Sequence, residues 1–161
     1  MEEPVRRTTG IRDVTFGRNV VIFEPVNLYE CLLEDEVRIG PFVEIQSGVR
    51  VGARTKVQSH AFLCEGVEIG ADCFVSHGVM FVNDLFRSGR PAGGDRALWG
   101  RTTVAARVSI GSGAVILPVS ICSDVVIGAG AVVTKDINLP GVYAGNPARL
   151  LRRLAADGDK R

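Results

Sequence analysis

A chain of 161 residues with 46% apolar side chains has the length of one domain and the means to fill a continuous core. A formal net charge of +1 gives no basic field for nucleic acid or an anionic membrane, which leaves small molecules and protein neighbours as partners. Residues 1 to 13, with Glu2, Glu3, Arg6, Arg7, Arg12 and Asp13, hold no apolar run of signal-peptide type, and nothing later approaches a spanning length, so a cytoplasmic location is expected.

The first periodic pairs are Val14/Phe16, Val20/Ile22 and Val26/Leu28. Both rows then slip together by one residue, as a five-residue step at one corner would require. From there an aliphatic or aromatic residue returns at every sixth position: Leu33, Ile39, Ile45, Val51, Val57, Leu63, Ile69, Val75 and Phe81. Two residues before each stands a second row of apolar or small residues, Cys31, Val37, Val43, Val49, Thr55, Ala61, Val67, Cys73 and Val79. A period of six is neither the 3.6 of a helix nor the 2 of a half-buried strand, so it belongs to stacked supersecondary units. Residues i−2 and i face the same way on a short strand, and the corner between strands carries glycines such as Gly40, Gly48, Gly52, Gly66, Gly70 and Gly78, which tolerate positive φ.

The pattern stops from Asn83 to Arg101, a stretch with Gly89, Pro91, Gly93 and Gly94 and with Arg87, Arg90, Arg96 and Arg101. A long loop on a rigid scaffold commonly carries function. The rows resume as Thr102/Val104, Val108/Ile110 and Ala114/Ile116, slip again near Pro118, and finish as Val119/Ile121, Val125/Ile127 and Ala131/Val133. No row position is charged, although 23% of the chain is. Three hexads per turn make an all-β triangular prism of about six coils, roughly 4.8 Å apart. After Pro147 a short helix with Leu150, Leu151 and Leu154 on one side is expected to cap the open end. The expected organisation is a single domain, 1–161, with the β-helix over 14–139, its loop at 83–101, and a cap and tail over 140–161.

Residues eighteen apart stack, which sorts the outward side chains into columns. Phe42, His60 and Gly78 share one column; Pro41, Ser59 and His77 share its neighbour, so the only two histidines lie diagonally on one edge. Glu44, Phe62 and Met80 form an outward column beside it, and two large apolar groups there signal an interface. Ser47, Glu65 and Asn83, with Asp84 adjacent, sit one face away where the loop departs. Each has a plainer reading: a polar interface residue for either histidine, corner amides satisfied by Glu65 and Asp84, and Trp99 buried under the loop. Two histidines do not assemble a three-histidine zinc site, and no CxxC pair exists among the four cysteines, so neither metal nor disulfide is expected.

Hexads such as Ile39-Gly40, Val51-Gly52, Ile69-Gly70, Ile110-Gly111 and Ile127-Gly128 resemble those of the hexapeptide-repeat acyltransferases, whose fold is a left-handed parallel β-helix. The resemblance spans roughly residues 14 to 154. GAGAVVTKDI (Gly128 to Ile137) followed by AGNPAR (Ala144 to Arg149) looks like the exit of the acetyl-CoA-using members. GPFVEIQ (Gly40 to Gln46), KVQSHAFLCEGVEI (Lys56 to Ile69) and HGVMFVND (His77 to Asp84) look like the branch that acetylates amino groups on nucleotide-linked sugars, especially 3-amino-3-deoxy hexoses; the loop after Asp84 departs from that branch.

The resemblance implies a homotrimer with active sites between subunits, acetyl-CoA as acyl donor, and a role in surface polysaccharide or glycoconjugate synthesis, including lipopolysaccharide. His77 is the first candidate to accept the amine proton and His60 the second, with Asp84 or Glu65 orienting the amine. A substrate-assisted route, in which the departing thiolate takes the proton, stays open. Asn83, Arg87 and Trp99 are candidates for the sugar nucleotide, an arginine for the diphosphate and the indole for the base. Ser112, Ala114, Ala129 and Ala131 are expected along the pantetheine arm, with Lys135 and Arg149 at the phosphates of coenzyme A. An O-acetyltransferase on a hydroxyl acceptor and a non-catalytic scaffold are the alternatives.

Overall fold

A computed structural model of the chain describes residues 3–6 and 8–154. Three sheets, parallel throughout except for the last strand of the third, form the faces of a prism. The first has seven strands, from Ile11–Arg12 through Asn27–Tyr29, Glu44–Ile45, Phe62–Leu63, Met80–Phe81 and Val115–Ile116 to Val132–Val133. The second has six, from Thr15–Phe16 to Ser120–Ile121, and the third eight, from Val21–Ile22 to Val125–Ile127, Gly141–Ala144 and Arg149–Arg152. The coil is a left-handed parallel β-solenoid of about seven turns. Six were expected; the additions are Ile11–Arg12 below the first periodic pair and Gly141–Ala144 above the last. The right-handed preference of parallel crossovers does not govern here, because consecutive strands are joined by corners rather than by a crossover packed back on one sheet.

Register confirms the column scheme. Partners are eighteen apart between Glu44 and Phe62 and between Phe62 and Met80, but seventeen apart between Asn27 and Glu44 and between Val115 and Val132, so both slips are one-residue deletions at corners. From Met80 to Val115 the step is 35, and the excursion is inserted at the corner between the first and second faces. Inside, Leu28, Leu33, Ile39, Ile45, Leu63, Phe81, Ile110 and Ile116 are fully buried. Each such side chain stabilises by roughly 1.5–3 kcal/mol. Thr55 and Thr102 are the buried polar side chains among the described residues, and both are satisfied: the Thr55 hydroxyl donates to Gly70 O at 2.8 Å and accepts from Cys73 N at 3.0 Å, and that of Thr102 donates to Leu117 O at 3.3 Å. Phe16 occupies an inward row yet is 45% exposed, because no coil lies beneath it.

The corner glycines divide into two kinds. Gly48, Gly66 and Gly78 do take positive φ. Gly40, Gly52 and Gly70 do not: a Cβ there would lie 2.7, 2.5 and 2.8 Å from backbone atoms of the next coil, so close stacking and not φ demands them. Many left-handed corner positions are filled by other residues, among them Glu36, Phe42, Arg54, His60, Asp72, Arg107 and Asp124. The corner between the second and third faces is laced by ion pairs one coil apart, Arg18–Asp35, Arg54–Asp72 and Arg107–Asp124, each at 2.7 Å.

The expected C-terminal helix is a β-hairpin. Gly141–Ala144 continues the third face on Val125–Ile127, and Arg149–Arg152 turns back antiparallel on it, pairing Tyr143 with Leu150. A helix of two turns has little intrinsic stability, whereas the strand edge left open by Gly141–Ala144 supplies a ready ladder of bonds. Leu151 is accordingly 67% exposed and not packed as a cap. The tail beyond Leu154 lies outside the described residues.

Candidate functional site

The corner between the third and first faces places the histidines. Ser59 and His77 lie in one column, continued by Ser112 and Ala129; Phe42, His60 and Gly78 lie in the next. The amide of His60 donates to Pro41 O at 3.2 Å, that of Gly78 to Ser59 O at 3.0 Å, that of Gly113 to His77 O at 2.9 Å and that of Gly130 to Ser112 O at 2.9 Å. Both histidines are exposed. The His60 ring stacks on Phe42, centroids 4.9 Å apart at 27°, which spends its face on an aromatic neighbour. The His77 ring is held through Nδ1, 2.8 Å from Ser59 Oγ, and Nε2 is the second nitrogen of that exposed ring. Beside this edge, Glu44, Phe62 and Met80 are aligned outward as expected; Phe42 is 58% and Met80 42% exposed.

The opposite corner of the first face carries the second group. Asn83 Nδ2 donates to Glu65 O at 3.0 Å, and Gly100 N donates to Asn83 O at 2.8 Å, so the two ends of the loop meet on one rung. The Glu65 carboxylate pairs with Arg96 at 3.2 Å. With Glu68, Trp99 and Arg101 they line a cavity of about 290 Å³, in which Trp99 is half-buried. Arg87 lies in a separate cavity of about 210 Å³ with Arg90 and Leu98. Asp84 lines that same cavity, and its carboxylate ties the loop together: Oδ1 accepts from Phe86 N at 2.9 Å and Oδ2 from Ala92 N at 2.8 Å, the plainer of its two readings.

Five residues, the Gly78 corner and the strand Met80–Phe81 among them, separate His77 from Asn83, so the two stand at opposite ends of the face, on the order of 15–20 Å apart. Within one chain the histidine edge and the loop corner do not meet. At the late coils Ser112 and Ala129 are exposed, whereas Ala114 and Ala131 are wholly buried inward residues that can offer a ligand their backbone alone. Lys135 and Arg149 share a cavity of about 270 Å³ with Thr134 and Tyr143, a juxtaposition that the sequence interval between them does not reveal.

Nucleophilic chemistry from cysteine has no support here. All four thiols are free, and burial pushes Cys31 up to about 11, Cys64 up to about 12, and Cys73 and Cys122 upward as well. Among the described residues no group of three His, Cys, Asp or Glu side chains is placed to hold a metal ion, and no helix is long and apolar enough to cross a membrane. The residue that sequence reasoning passes over is Ser59, whose column position is visible but whose bond to His77 is not; Arg96 is named there only as one of the loop arginines, and its partner Glu65, thirty-one positions earlier, is not foreseen.

Fold and repeat together define a hexapeptide-repeat left-handed β-helix. Residues 102–135 match the family described as hexapeptide repeat of succinyl-transferase. Among solved structures, the chain is 23% identical to a hexapeptide-repeat-containing acetyltransferase of Vibrio cholerae O1 biovar eltor complexed with acetyl coenzyme A, over 79% of this chain and 72% of that one, with a TM-score of 0.67. It is 25% identical to the polySia-specific acetyltransferase NeuO, over 92% and 74%, TM-score 0.57. To a point mutant of perosamine N-acetyltransferase from Caulobacter crescentus, in complex with CoA and GDP-perosamine, it is 23% identical over 82% of this chain and 53% of that one, TM-score 0.57. The chain therefore spans about half the length of that last protein.

Proposed function

We propose that the protein is an acetyl-CoA-dependent N-acetyltransferase acting on the amino group of a nucleotide-linked amino sugar, a 3-amino-3-deoxy hexose by sequence resemblance, in the synthesis of a surface polysaccharide or glycoconjugate. The observation that carries the reading is the histidine edge: an exposed imidazole pinned at Nδ1, directly below the small, exposed Ser112 and Ala129. Supporting it are the similarity to an acetyltransferase holding acetyl-CoA and to one holding CoA with GDP-perosamine.

In this reading three chains pack through the Phe62/Met80 face, so that the histidine edge of one subunit approaches the loop corner of its neighbour. Coenzyme A lies along the late coils, its phosphates near Lys135 and Arg149. The sugar nucleotide lies at the loop cavity, where Arg96 and Arg101 meet the diphosphate and Trp99 the base. The free amine attacks the thioester carbonyl carbon; the C–N bond forms, the oxyanion collapses and the C–S bond breaks. His77 Nε2 takes the proton from nitrogen and passes it to the departing thiolate.

Titration with acetyl-CoA tests the cofactor: at a hundredfold excess over Kd, binding to the native state alone stabilises by about 2.7 kcal/mol, which a thermal shift detects and a scaffold lacks. A thiol-release assay across UDP-, dTDP- and GDP-linked 3-amino and 4-amino sugars, with hydroxyl sugars beside them, identifies the acceptor. Turnover confined to hydroxyl acceptors replaces N- by O-acetylation, the second reading.

A further inference from the structure

We propose that Ser59 is a positioning residue that fixes the tautomer of His77, its hydroxyl accepting a hydrogen bond from Nδ1–H so that Nε2 turns a lone pair outward. The inference rests on the reading of His77 as the proton acceptor and adds to it the device that makes one nitrogen the base. Ser59 Oγ and His77 Nδ1 are 2.8 Å apart, and the two residues are stacked partners one coil apart. Their backbones are fixed by the same column, since Ser59 O accepts from Gly78 N at 3.0 Å and His77 O from Gly113 N at 2.9 Å. The imidazole thus has one polar side-chain partner among the described residues, and that partner is a neutral hydroxyl rather than a carboxylate.

A hydroxyl can donate or accept, but the two arrangements behave differently in a reaction. Neutral imidazole has one N–H and one lone pair, whereas the protonated ring donates from both nitrogens. If Ser59 donated to Nδ1, the outward Nε2 would carry hydrogen and could take no proton; protonation at Nδ1 would also break the bond. If Ser59 accepts, the same bond persists before and after Nε2 is protonated, and no group has to reorient during transfer.

The test combines nitrogen NMR with kinetics on the full chain. Long-range nitrogen–proton spectra of ¹⁵N-histidine protein, assigned with His77→Asn and recorded at a pH where the rings are neutral, should show His77 as the Nδ1–H form, and Ser59→Ala should move it towards the Nε2–H form. Ser59→Ala should lose on the order of 10-fold in kcat with KM for acetyl-CoA unchanged, and Ser59→Thr should recover the loss. Ser59→Asp should shift the acidic limb of the kcat profile to higher pH, because a carboxylate at that place favours the protonated ring; an unmoved limb would mean that the side chain at this position does not meet the ring of the base. A wild-type His77 in the Nε2–H form, or a tautomer unchanged in Ser59→Ala, overturns the assignment whatever the kinetics. If His77→Asn is silent in kcat, the base reading falls separately, and the spectra still decide the role of Ser59.

Discussion

Asp84 Oδ2 accepts a 2.8 Å hydrogen bond from the amide of Ala92, eight residues further on, while its other oxygen holds Phe86 N at 2.9 Å. One carboxylate thereby folds the first half of the loop. Asp84→Ala is expected to raise the rate of tryptic cleavage after Arg87 or Arg96 several-fold and to raise KM for the acceptor, with the thermal midpoint of the β-helix nearly unchanged. Cleavage at the wild-type rate together with a collapse of kcat at unchanged KM would return Asp84 to the chemistry.

His77→Asn keeps a hydrogen-bonding group and removes the basic nitrogen. The expected loss is roughly 10²-fold to 10⁴-fold in kcat with little change in KM for acetyl-CoA, and the acidic limb of the pH profile should vanish. Near-normal kcat in an intact assembly would favour proton transfer to the departing thiolate. His60→Asn is expected to act on KM for the sugar more than on kcat, since that ring lies against Phe42.

Three carboxylates of the charged corner should make the fold acid-sensitive. Hydrogen bonds from Arg18, Arg54 and Arg107 hold Asp35, Asp72 and Asp124 below the usual range, as Arg50 does for Glu34. A lowered folded pKa means that the native state binds fewer protons than the unfolded chain, so the contribution is complete above the ordinary carboxylate range near pH 4 and is lost as pH falls through the lower folded values. The pairs are exposed and screened, so the effect is small and should shrink further in high salt. Melting temperatures from pH 6 to pH 2.5 should fall less steeply in a combined Arg18→Met and Arg54→Met variant; equal slopes would assign the acid sensitivity elsewhere.

Assembly is checked at Phe62. Sedimentation at micromolar concentration should give about three chains per particle, and Phe62→Glu should yield monomers that keep the β-helix circular dichroism spectrum, because Phe62 is only partly buried between the inward Ala61 and Leu63 and an unpaired buried carboxylate costs several kcal/mol. A monomeric wild type would remove the shared site.

The coil was legible because its information is periodic: an inward Leu63 or Val75 announces itself by its neighbours at plus and minus six, and the columns follow by adding eighteen. The number of coils was undercounted where periodicity thins at the ends, since Ile11 and Gly141 have no apolar row around them. Leu150, Leu151 and Leu154 satisfy helical spacing, whereas the state of this segment is decided by the vacant edge of Gly141–Ala144, a tertiary fact. The rows themselves place Ala114 and Ala131 inward, so their small size gives a ligand no side-chain access. The Ser59–His77 hydrogen bond and the Arg96–Glu65 ion pair depend on rotamers and loop path, which a spacing rule does not contain.

The 2.8 Å bond between Gly100 N and Asn83 O closes the excursion at its neck, so the stack above and below continues as though nothing had been inserted. Because the closure entropy of a loop grows only slowly with its length, residues between these two can be added, removed or exchanged at little cost to folding. On the proposed reading, in which this loop holds the acceptor, mutational drift in acceptor choice is thereby decoupled from drift in the core. In descendants of this chain, the acceptor would be expected to change through that segment long before a single inward aliphatic is replaced.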